Sequence, residues 1–124
     1  MLLVAPTPVN EYQMGTPLER TAANTKIYAE ACVEVGSRIN IPVVNMWKEF
    51  TSAVGWKTGE PLVGSKEAPR NPHFDELFTD GLHLQGKGYR IMYDAVTSKI
   101  KQSWPEIDPQ NIPFVFPPWR EAPK

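Results

Sequence analysis

Apolar residues form two short continuous runs near the start and the middle of the chain. Met1–Ala5 is closed by Pro6, and Ile41–Trp47 reads I-P-V-V-N-M-W. Runs of this length are typical of strands that are buried on both faces, as in a parallel sheet. We therefore predict two parallel strands at these positions.

The stretch between the two runs predicts an amphipathic helix. Its start is indicated by T-P-L-E at residues 16–19, a capping-box pattern with proline at the first helical position. Apolar residues then recur at helical spacing, with charged residues on the opposite side. The predicted core face consists of Tyr28, Cys32, Val35 and Ile39. Strand, helix and strand in this order form a βαβ unit with a right-handed crossover.

A second long helix is predicted over residues 87–103. Its apolar residues fall three, four, seven and eleven positions after the first one, which indicates one buried face. That face consists of Tyr89, Met92, Tyr93, Val96 and Ile100. Residues 48–54 predict a short helix that packs through Trp47 and Phe50, and the turn-rich segment 55–72 predicts a loop.

Proline marks the end of the chain. Thirteen of the 124 residues are proline, about twice the average share, and the six that follow Trp104 predict an extended tail. Phe114, Phe116 and Trp119 are its expected apolar anchors. We divide the chain into a domain over 1–104 and a proline-rich tail over 105–124.

The predicted elements make an incomplete α/β domain. Two parallel strands and two long helices leave both edges and part of one face of the strand pair without cover. A natural domain of this class would add three or more strands. We therefore expect the chain alone to oligomerise or to dissolve poorly, with a second copy or a missing amino-terminal half as the partner.

Charge and cysteine content narrow the function classes. A net charge of −1 gives no electrostatic reason to bind nucleic acid or an anionic membrane. The single cysteine, Cys32, can form no internal disulfide and supplies no metal cluster. The sequence shows no basic leader and no apolar stretch near the roughly 20 residues of a membrane span. We expect a cytoplasmic protein.

The candidate chemistry lies in F-T-D-G-L-H-L, residues 78–84. An aspartate three residues before a histidine, on a turn with glycine, can place its carboxylate against the imidazole Nδ1–H. That contact selects the tautomer and leaves Nε2 free to accept a proton. We therefore take Asp80 and His83 as candidate catalytic residues, the orienting acid and the general base of a nucleophilic triad.

The spacing alone leaves two other interpretations open. One is an aspartate near a helix start with a histidine packed beside it and no chemistry. The other is a metal site, for which the candidate ligands are His73, Asp75, Asp80 and His83. We disfavour a metal because these residues share no helix face and no cysteine joins them.

Four segments of the chain resemble the SGNH/GDSL ester hydrolases, most closely the isoamyl-acetate-hydrolysing esterase group. They are T-D-G-L-H-L-Q-G-K-G-Y-R-I-M-Y-D-A-V (79–96), P-T-P-V-N-E (6–11), the A-C-V-E-V to I-P-V-V-N-M-W region (31–47) and N-I-P-F-V-F-P-P-W (111–119). The resemblance therefore spans essentially the whole chain. It implies that the chain is the C-terminal part of such a hydrolase.

The resemblance also implies a fold, an activity and residue roles. The fold would be a flavodoxin-like three-layer α/β/α sandwich with a five-stranded parallel sheet. The activity would be a serine esterase that cleaves short-chain acyl esters through an acyl-enzyme and needs no cofactor. At the matching positions, His83 would be the general base and Asp80 its orienting acid.

The chain departs from the family in its nucleophile. The G-D-S motif and the oxyanion asparagine of G-x-N-D do not occur, and no serine lies in G-x-S-x-G. The available serines are Ser37, Ser52, Ser65, Ser98 and Ser103. Asn45 occupies a position that is usually acidic in the family, and we assign it no catalytic role. Asn10 and Glu11 match the group without a chemical reason that the sequence alone reveals.

Three hypotheses follow from these agreements and departures. The chain is an esterase without its amino-terminal half, a non-catalytic interaction or regulatory module that pairs with another chain, or a self-sufficient hydrolase with a different nucleophile. We favour the first. We then expect little activity from the chain alone, because losing the triad serine of a hydrolase costs about 10⁶ in kcat.

Overall fold

The computed structural model describes residues 1–108, 110–113 and 115–121. Its elements in chain order are β1 (Leu3–Val4), α1 (Ala22–Arg38), β2 (Val43–Val44), α2 (Met46–Ala53), α3 (Pro72–Asp75) and α4 (Gly86–Ser103), followed by 3₁₀ turns at Pro105–Ile107 and Trp119–Glu121. The predicted α/β class with two strands and two long helices is confirmed.

The two strands pair in parallel, with Leu3 opposite Val43 and Val4 opposite Val44. The N–H of Ala5 extends the ladder by donating to the carbonyl of Val44 at 2.9 Å. Because α1 connects the two strands, they form the predicted βαβ unit. This arrangement is compatible with a portion of the flavodoxin-like fold that the resemblance implies.

The start of α1 differs from the prediction. The helix begins at Ala22 rather than at the T-P-L-E pattern of residues 16–19. Thr21 is the N-cap, and its hydroxyl accepts the N–H of Asn24 at 3.2 Å. The carboxylate of Glu11 accepts the N–H of Ala22 at 2.8 Å. The prediction was wrong because the acid that satisfies this helix end comes from an earlier segment and not from the helix's own first turn.

The predicted core face of α1 is also wrong at three of its four positions, and only Cys32 of the four packs against the core. Tyr28, Val35 and Ile39 are 70%, 47% and 57% exposed, and Cys32 is only half-buried. The residues of α1 that are buried are instead Ala22, Ala29 and Gly36, at every seventh position.

The reason is the short distance between α1 and the strands. A Cβ placed on Gly36 would lie 2.1 Å from the Cγ2 of Val43 and 3.1 Å from the carbonyl oxygen of Ile41. The helix backbone therefore packs directly on β2, and only glycine fits at position 36 without a shift. The larger apolar side chains consequently lie on the flank of the helix.

The other predicted helices are confirmed, with one correction. Trp47 and Phe50 on α2 are buried as expected. On α4, Met92 and Val96 pack on the core, whereas Tyr89 and Tyr93 are exposed. The residues of α4 that complete its packed face are Gly88, Ile91 and Ala95. The contact face is thus rotated away from the two tyrosines.

The main core is closed by aromatic residues from the segment around α3. The rings of Phe50 and Phe78 are 5.8 Å apart, and those of Phe74 and Phe78 are 5.1 Å apart. All three side chains are buried to 1% exposure or less. The loop that contains Asp80 and His83 therefore starts from a fixed point in the core.

The tail after α4 contacts the domain through charge rather than through its aromatic residues. Lys101 Nζ lies 3.0 Å from a carboxylate oxygen of the buried Asp108. Phe116 and Trp119, two of the predicted anchors, are 80% and 81% exposed, so they are not buried against the described residues. Phe114 lies outside the described residues. The division at residue 104 stays a prediction.

The helices were also tested as membrane spans. The longest of those described, α4, has 18 residues and includes several lysines and an arginine. Across the described ranges, no helix combines the length and the apolar character needed to cross a bilayer.

Glu11 joins three segments of the fold. Only 6% of it is exposed, and its two carboxylate oxygens accept the N–H groups of Ala22 at 2.8 Å and Lys66 at 3.0 Å. Its own N–H donates to the carbonyl of Gly64 at 2.8 Å. A buried carboxylate paired in this way determines where α1 starts and where the loop before α3 lies.

We expect Glu11→Gln to lower the free energy of unfolding by about 1–3 kcal/mol, because the new amide group would face a buried N–H donor. Denaturant unfolding measures the change. Glu30→Gln is the control, since it removes only an exposed ion pair with Lys26 at 3.7 Å, and such pairs contribute about 0–1 kcal/mol. Equal losses in the two variants would contradict the assigned role of Glu11.

Candidate functional site

The structure brings the two predicted catalytic residues into direct contact. Nδ1 of His83 lies 2.7 Å from one carboxylate oxygen of Asp80. The other carboxylate oxygen accepts the N–H of His83 at 2.8 Å and the N–H of Leu82 at 3.0 Å. The aspartate is therefore held by its own loop while it holds the imidazole.

The loop closes on itself at its base. An isolated antiparallel bridge joins Phe78 to Leu84, and the N–H of Thr79 donates to the carbonyl of His83 at 2.8 Å. The side chain of Gln85 donates to the carbonyl of Phe78 at 2.9 Å. Both ends of the loop are thus fixed next to the core and to the start of α4.

Gly81, at the tip of the loop, lies against the segment that follows β1. Its φ is +85°, and its carbonyl accepts the N–H of Asn10 at 2.8 Å. A Cβ there would lie 2.2 Å from the carbonyl oxygen of Asn10 and 2.8 Å from the Cγ of Met14. Glycine is therefore required both for its conformation and for this close approach.

Asn10 is a site residue for which the sequence suggested no role. It is 1% exposed. Its Nδ2 donates to Asp75 Oδ1 at 2.7 Å and to Gln13 Oε1 at 3.0 Å, and its Oδ1 accepts the N–H of Tyr12 at 3.3 Å. One signal was present: Asn10 lies in the segment that follows the predicted strand at Met1–Ala5, and functional side chains gather after the carboxyl ends of parallel strands.

Both catalytic candidates are exposed to solvent. The side chains of His83 and Asp80 are 74% and 52% exposed. The backbone N–H of His83, followed by the His83 side chain and the N–H of Leu82, lowers the pKa of Asp80 from 3.8 to about 2. Asp80 is therefore a carboxylate at neutral pH, as an acceptor of the Nδ1–H must be.

The described residues place no serine against the candidate base. No hydrogen bond among these residues joins a serine hydroxyl to His83, and none involves its Nε2. Ser65, the one buried serine, accepts the N–H of Glu67 at 3.2 Å, which is a turn contact. Nε2 of the exposed imidazole is therefore available to a group from outside this set of residues.

A groove borders the loop on the side of Asp80. Residues 13–17 and Asp80 line its first part, and Pro6, Val9 and Tyr28 line its second part. Glu19, Arg20 and Leu82 line both parts. The walls therefore include an apolar surface within reach of the loop.

Asn45, to which we assign no catalytic role, has a structural one. Asn45 is the N-cap of α2, and its Oδ1 accepts the N–H of Lys48 at 3.0 Å. Aspartate and asparagine cap helices about equally well, so the departure at this position preserves the cap.

The four residues of the metal interpretation do not form one cluster. His73 is exposed on α3, Asp75 accepts hydrogen bonds from Asn10 and Arg70, and Asp80 pairs with His83. In the part of the chain that the structure describes, no three histidine, cysteine, aspartate or glutamate side chains group as metal ligands.

The chain was compared with known proteins. It is 28% identical over 103 residues to the isoamyl acetate-hydrolyzing esterase of Saccharomyces cerevisiae, covering 83% of this chain and 37% of that protein. The Schizosaccharomyces pombe enzyme of the same name is 44% identical over 45 residues, 36% of this chain and 18% of that protein. A GDSL esterase/lipase of Arabidopsis thaliana is 25% identical over 130 residues, which cover 94% of this chain and 46% of that protein. No protein-family model matches. The chain spans less than half the length of these relatives.

We expect the carboxyl group of Asp80 to titrate with a pKa of about 2. His83→Ala removes the imidazole but keeps the backbone N–H, which is the larger cause, so the pKa should rise only part of the way toward 3.8. The ¹³C shift of the Asp80 carboxyl group against pH measures this. A full return to 3.8 in the variant would contradict the leading role of the backbone.

The sign of the effect on stability follows from this pKa. Because the folded value lies below the unfolded value, the interaction stabilises the fold fully above the unfolded pKa of 3.8. The contribution should disappear as the pH falls from there through about 2. Unfolding of the unchanged chain and of Asp80→Asn, compared across this window, should show the difference between them shrink.

Proposed function

Since this chain is related to the GDSL/SGNH esterases, we propose that it contributes the histidine and aspartate of a serine ester hydrolase site. The observation that supports this best is the 2.7 Å contact between His83 Nδ1 and the Asp80 carboxylate. The family resemblance only identifies Asp80 and His83 as candidates. Their contact adds the geometry that a histidine base and its orienting aspartate need.

Each of the two residues has a distinct task in the proposed mechanism. The Asp80 carboxylate accepts the Nδ1–H, so that Nε2 of His83 can take the proton of a serine hydroxyl as its oxygen attacks the ester carbonyl. The imidazolium then gives this proton to the leaving alkoxide, and an acyl-enzyme remains. His83 next deprotonates a water molecule that attacks the acyl-enzyme, and the proton returns to the serine as the acid leaves.

The serine and the oxyanion donors would come from polypeptide outside this chain. None of the five serines follows G-D, and relatives such as the Saccharomyces cerevisiae esterase are more than twice as long as the part that this chain matches. We propose that the chain corresponds to the C-terminal part of such a protein. It would act with that missing half and without a cofactor.

The substrate class follows from the relatives and from the groove. Two relatives are named for hydrolysis of isoamyl acetate, an ester of a short acid with a branched apolar alcohol. The part of the groove that Pro6, Val9 and Leu82 line offers apolar wall residues among polar ones, and it shares Leu82 with the part beside Asp80. We propose short-chain acyl esters as substrates. The cytoplasmic location and the oligomerisation expected from the sequence stay predictions.

A non-catalytic interaction module is the second candidate function. It is favoured by the apolar flank of α1, where Tyr28, Val35 and Ile39 are exposed, and by Val4 of β1, which is 48% exposed. Surfaces of this kind fit another polypeptide. The two functions are compatible as structures, so an activity measurement has to separate them.

We expect the purified chain to hydrolyse p-nitrophenyl acetate only slowly and without saturation, at the same rate as its His83→Ala variant. Exposed histidines and lysines attack this ester non-specifically, so only a saturable difference between the two proteins is informative. Such a difference would show that the nucleophile lies within this chain and would support the self-sufficient hydrolase instead.

Transplantation tests the proposed site in a complete enzyme. We expect a chimera in which this chain replaces the aligned part of the Saccharomyces cerevisiae esterase to hydrolyse isoamyl acetate. His83→Ala should then reduce kcat by about 10⁴–10⁶, and Asp80→Asn by about 10⁴. His73→Ala is the matched control, because it removes the other histidine of the chain without touching the loop.

The chimera also separates the two candidate functions. Activity that survives His83→Ala would contradict the proposed catalytic role. A chimera that shows a cooperative thermal transition but no turnover would favour the interaction module. Circular dichroism therefore accompanies each assay.

A further inference from the structure

The tip of the loop that holds Asp80 and His83 is fastened to the segment after β1. The ends of the loop are closed by the bridge between Phe78 and Leu84, while its tip is held by the bond from the Asn10 N–H to the Gly81 carbonyl at 2.8 Å. Gly81 directly follows Asp80. A shift of the tip therefore changes the direction of the Asp80 carboxylate, on which the imidazole depends.

The side chain of Asn10 determines where its backbone lies. Both hydrogens of Nδ2 have acceptors, Asp75 Oδ1 at 2.7 Å and Gln13 Oε1 at 3.0 Å. The amide oxygen accepts the N–H of Tyr12 at 3.3 Å. A residue of this size that donates two bonds and also accepts one must be asparagine, because aspartate only accepts when ionised.

The partners of Asn10 are themselves connected to the base of the loop. Asp75 Oδ2 accepts the Nε–H of Arg70 at 2.7 Å. Gln13 Nε2 donates to the carbonyl of Asp75 at 3.1 Å and to that of Phe78 at 3.4 Å. A single network, buried at Asn10 and exposed at Arg70, therefore holds both the tip and the base of the loop.

We propose that Asn10 is a positioning residue that sets the tautomer of His83 by holding Gly81. The inference deepens the proposed function, since it matters for catalysis only if His83 is the general base. Asn10 itself acts through the loop and has no contact with the reacting atoms.

The expected consequence is a change of proton position on the imidazole. With the loop in place, Asp80 accepts the Nδ1–H, and the lone pair on Nε2 can take a proton. When the tip moves, the exposed ring loses its oriented acceptor. It should then populate the Nε2–H tautomer that free histidine favours, which has no lone pair on Nε2 for a proton from serine.

Asn10→Asp tests this with a side chain of nearly the same shape. Its carboxylate would face the Asp75 carboxylate across the present 2.7 Å contact and push residue 10 away from it. The readout is the pair of ¹⁵N ring shifts of His83, measured by NMR in the neutral state of the imidazole. We expect the Nδ1–H pattern in the unchanged chain and a shift toward the Nε2–H pattern in the variant.

The exchanged pair provides a rescue. Asn10→Asp combined with Asp75→Asn restores an amide donor opposite a carboxylate with the direction reversed. We expect this double variant to recover most of the Nδ1–H pattern. Failure of the double variant to recover it, while it remains folded, would overturn the assignment to the Asn10–Asp75 contact.

Asn45→Ala separates positioning from general destabilisation. It removes the N-cap hydrogen bond at the start of α2. Asn45 shares no hydrogen bond with the loop among the described residues, so the variant should lower the melting temperature and leave the His83 tautomer unchanged. An equal tautomer shift in Asn45→Ala would overturn the proposal. So would an unshifted tautomer in folded Asn10→Asp.

Gly81→Ala disturbs the contact between Asn10 and Gly81 by a change in the loop. It tests the proposal independently if Asn10→Asp does not fold. Its Cβ would lie 2.2 Å from the Asn10 carbonyl oxygen, so the tip must move and the same tautomer shift is expected. The NMR readout needs no ester hydrolysis. If the chimera is inactive but the His83 ¹⁵N shifts change as expected, only the catalytic role of His83 is rejected. If the chimera is active but the shifts do not change, only the positioning role of Asn10 is rejected.

Discussion

Asn10 and Glu11, the two buried polar side chains that follow β1, decide where the surrounding segments can lie. Asn10 holds the tip of the catalytic loop through Gly81, and Glu11 accepts N–H groups from the start of α1 and from Lys66. Leaving one such group without a partner costs about 1–3 kcal/mol, so these segments must meet at the end of the strand. This turn therefore fixes where the loop of Asp80 and His83 lies relative to α1 and to the segment of Lys66.

A second constraint is the short distance between α1 and the strand pair. The Cβ test at Gly36 shows that the helix backbone lies against Val43, which permits only small residues at the contact and leaves Tyr28 and Ile39 exposed on the flank. The chain thus presents an apolar flank and a short strand pair beside a well-ordered loop. The chain that carries these features spans less than half the length of the relatives it matches.

The orienting half of the proposed triad is a local structure, which explains how Asp80 and His83 meet within this chain. Asp80 and His83 are three residues apart, and the same carboxylate that binds Nδ1 also accepts two N–H groups of its own loop. The nucleophile of a triad is normally distant in sequence, since only the tertiary fold brings it to the imidazole. A chain can therefore hold a preformed base and still depend on other polypeptide for the reaction.

The sequence by itself determined the features that depend on residues close to one another along the chain. The positions of both strands, the helix over 86–103 and the contact of Asp80 with His83 could be predicted, because strand runs, helical periodicity and a three-residue turn are short-range patterns. Only the tertiary structure decided which face of α1 packs, where that helix begins and what Asn10 does. Periodicity does not reveal how closely a helix approaches a sheet, and the partners of Glu11 and Asn10 lie up to 65 positions away in the sequence.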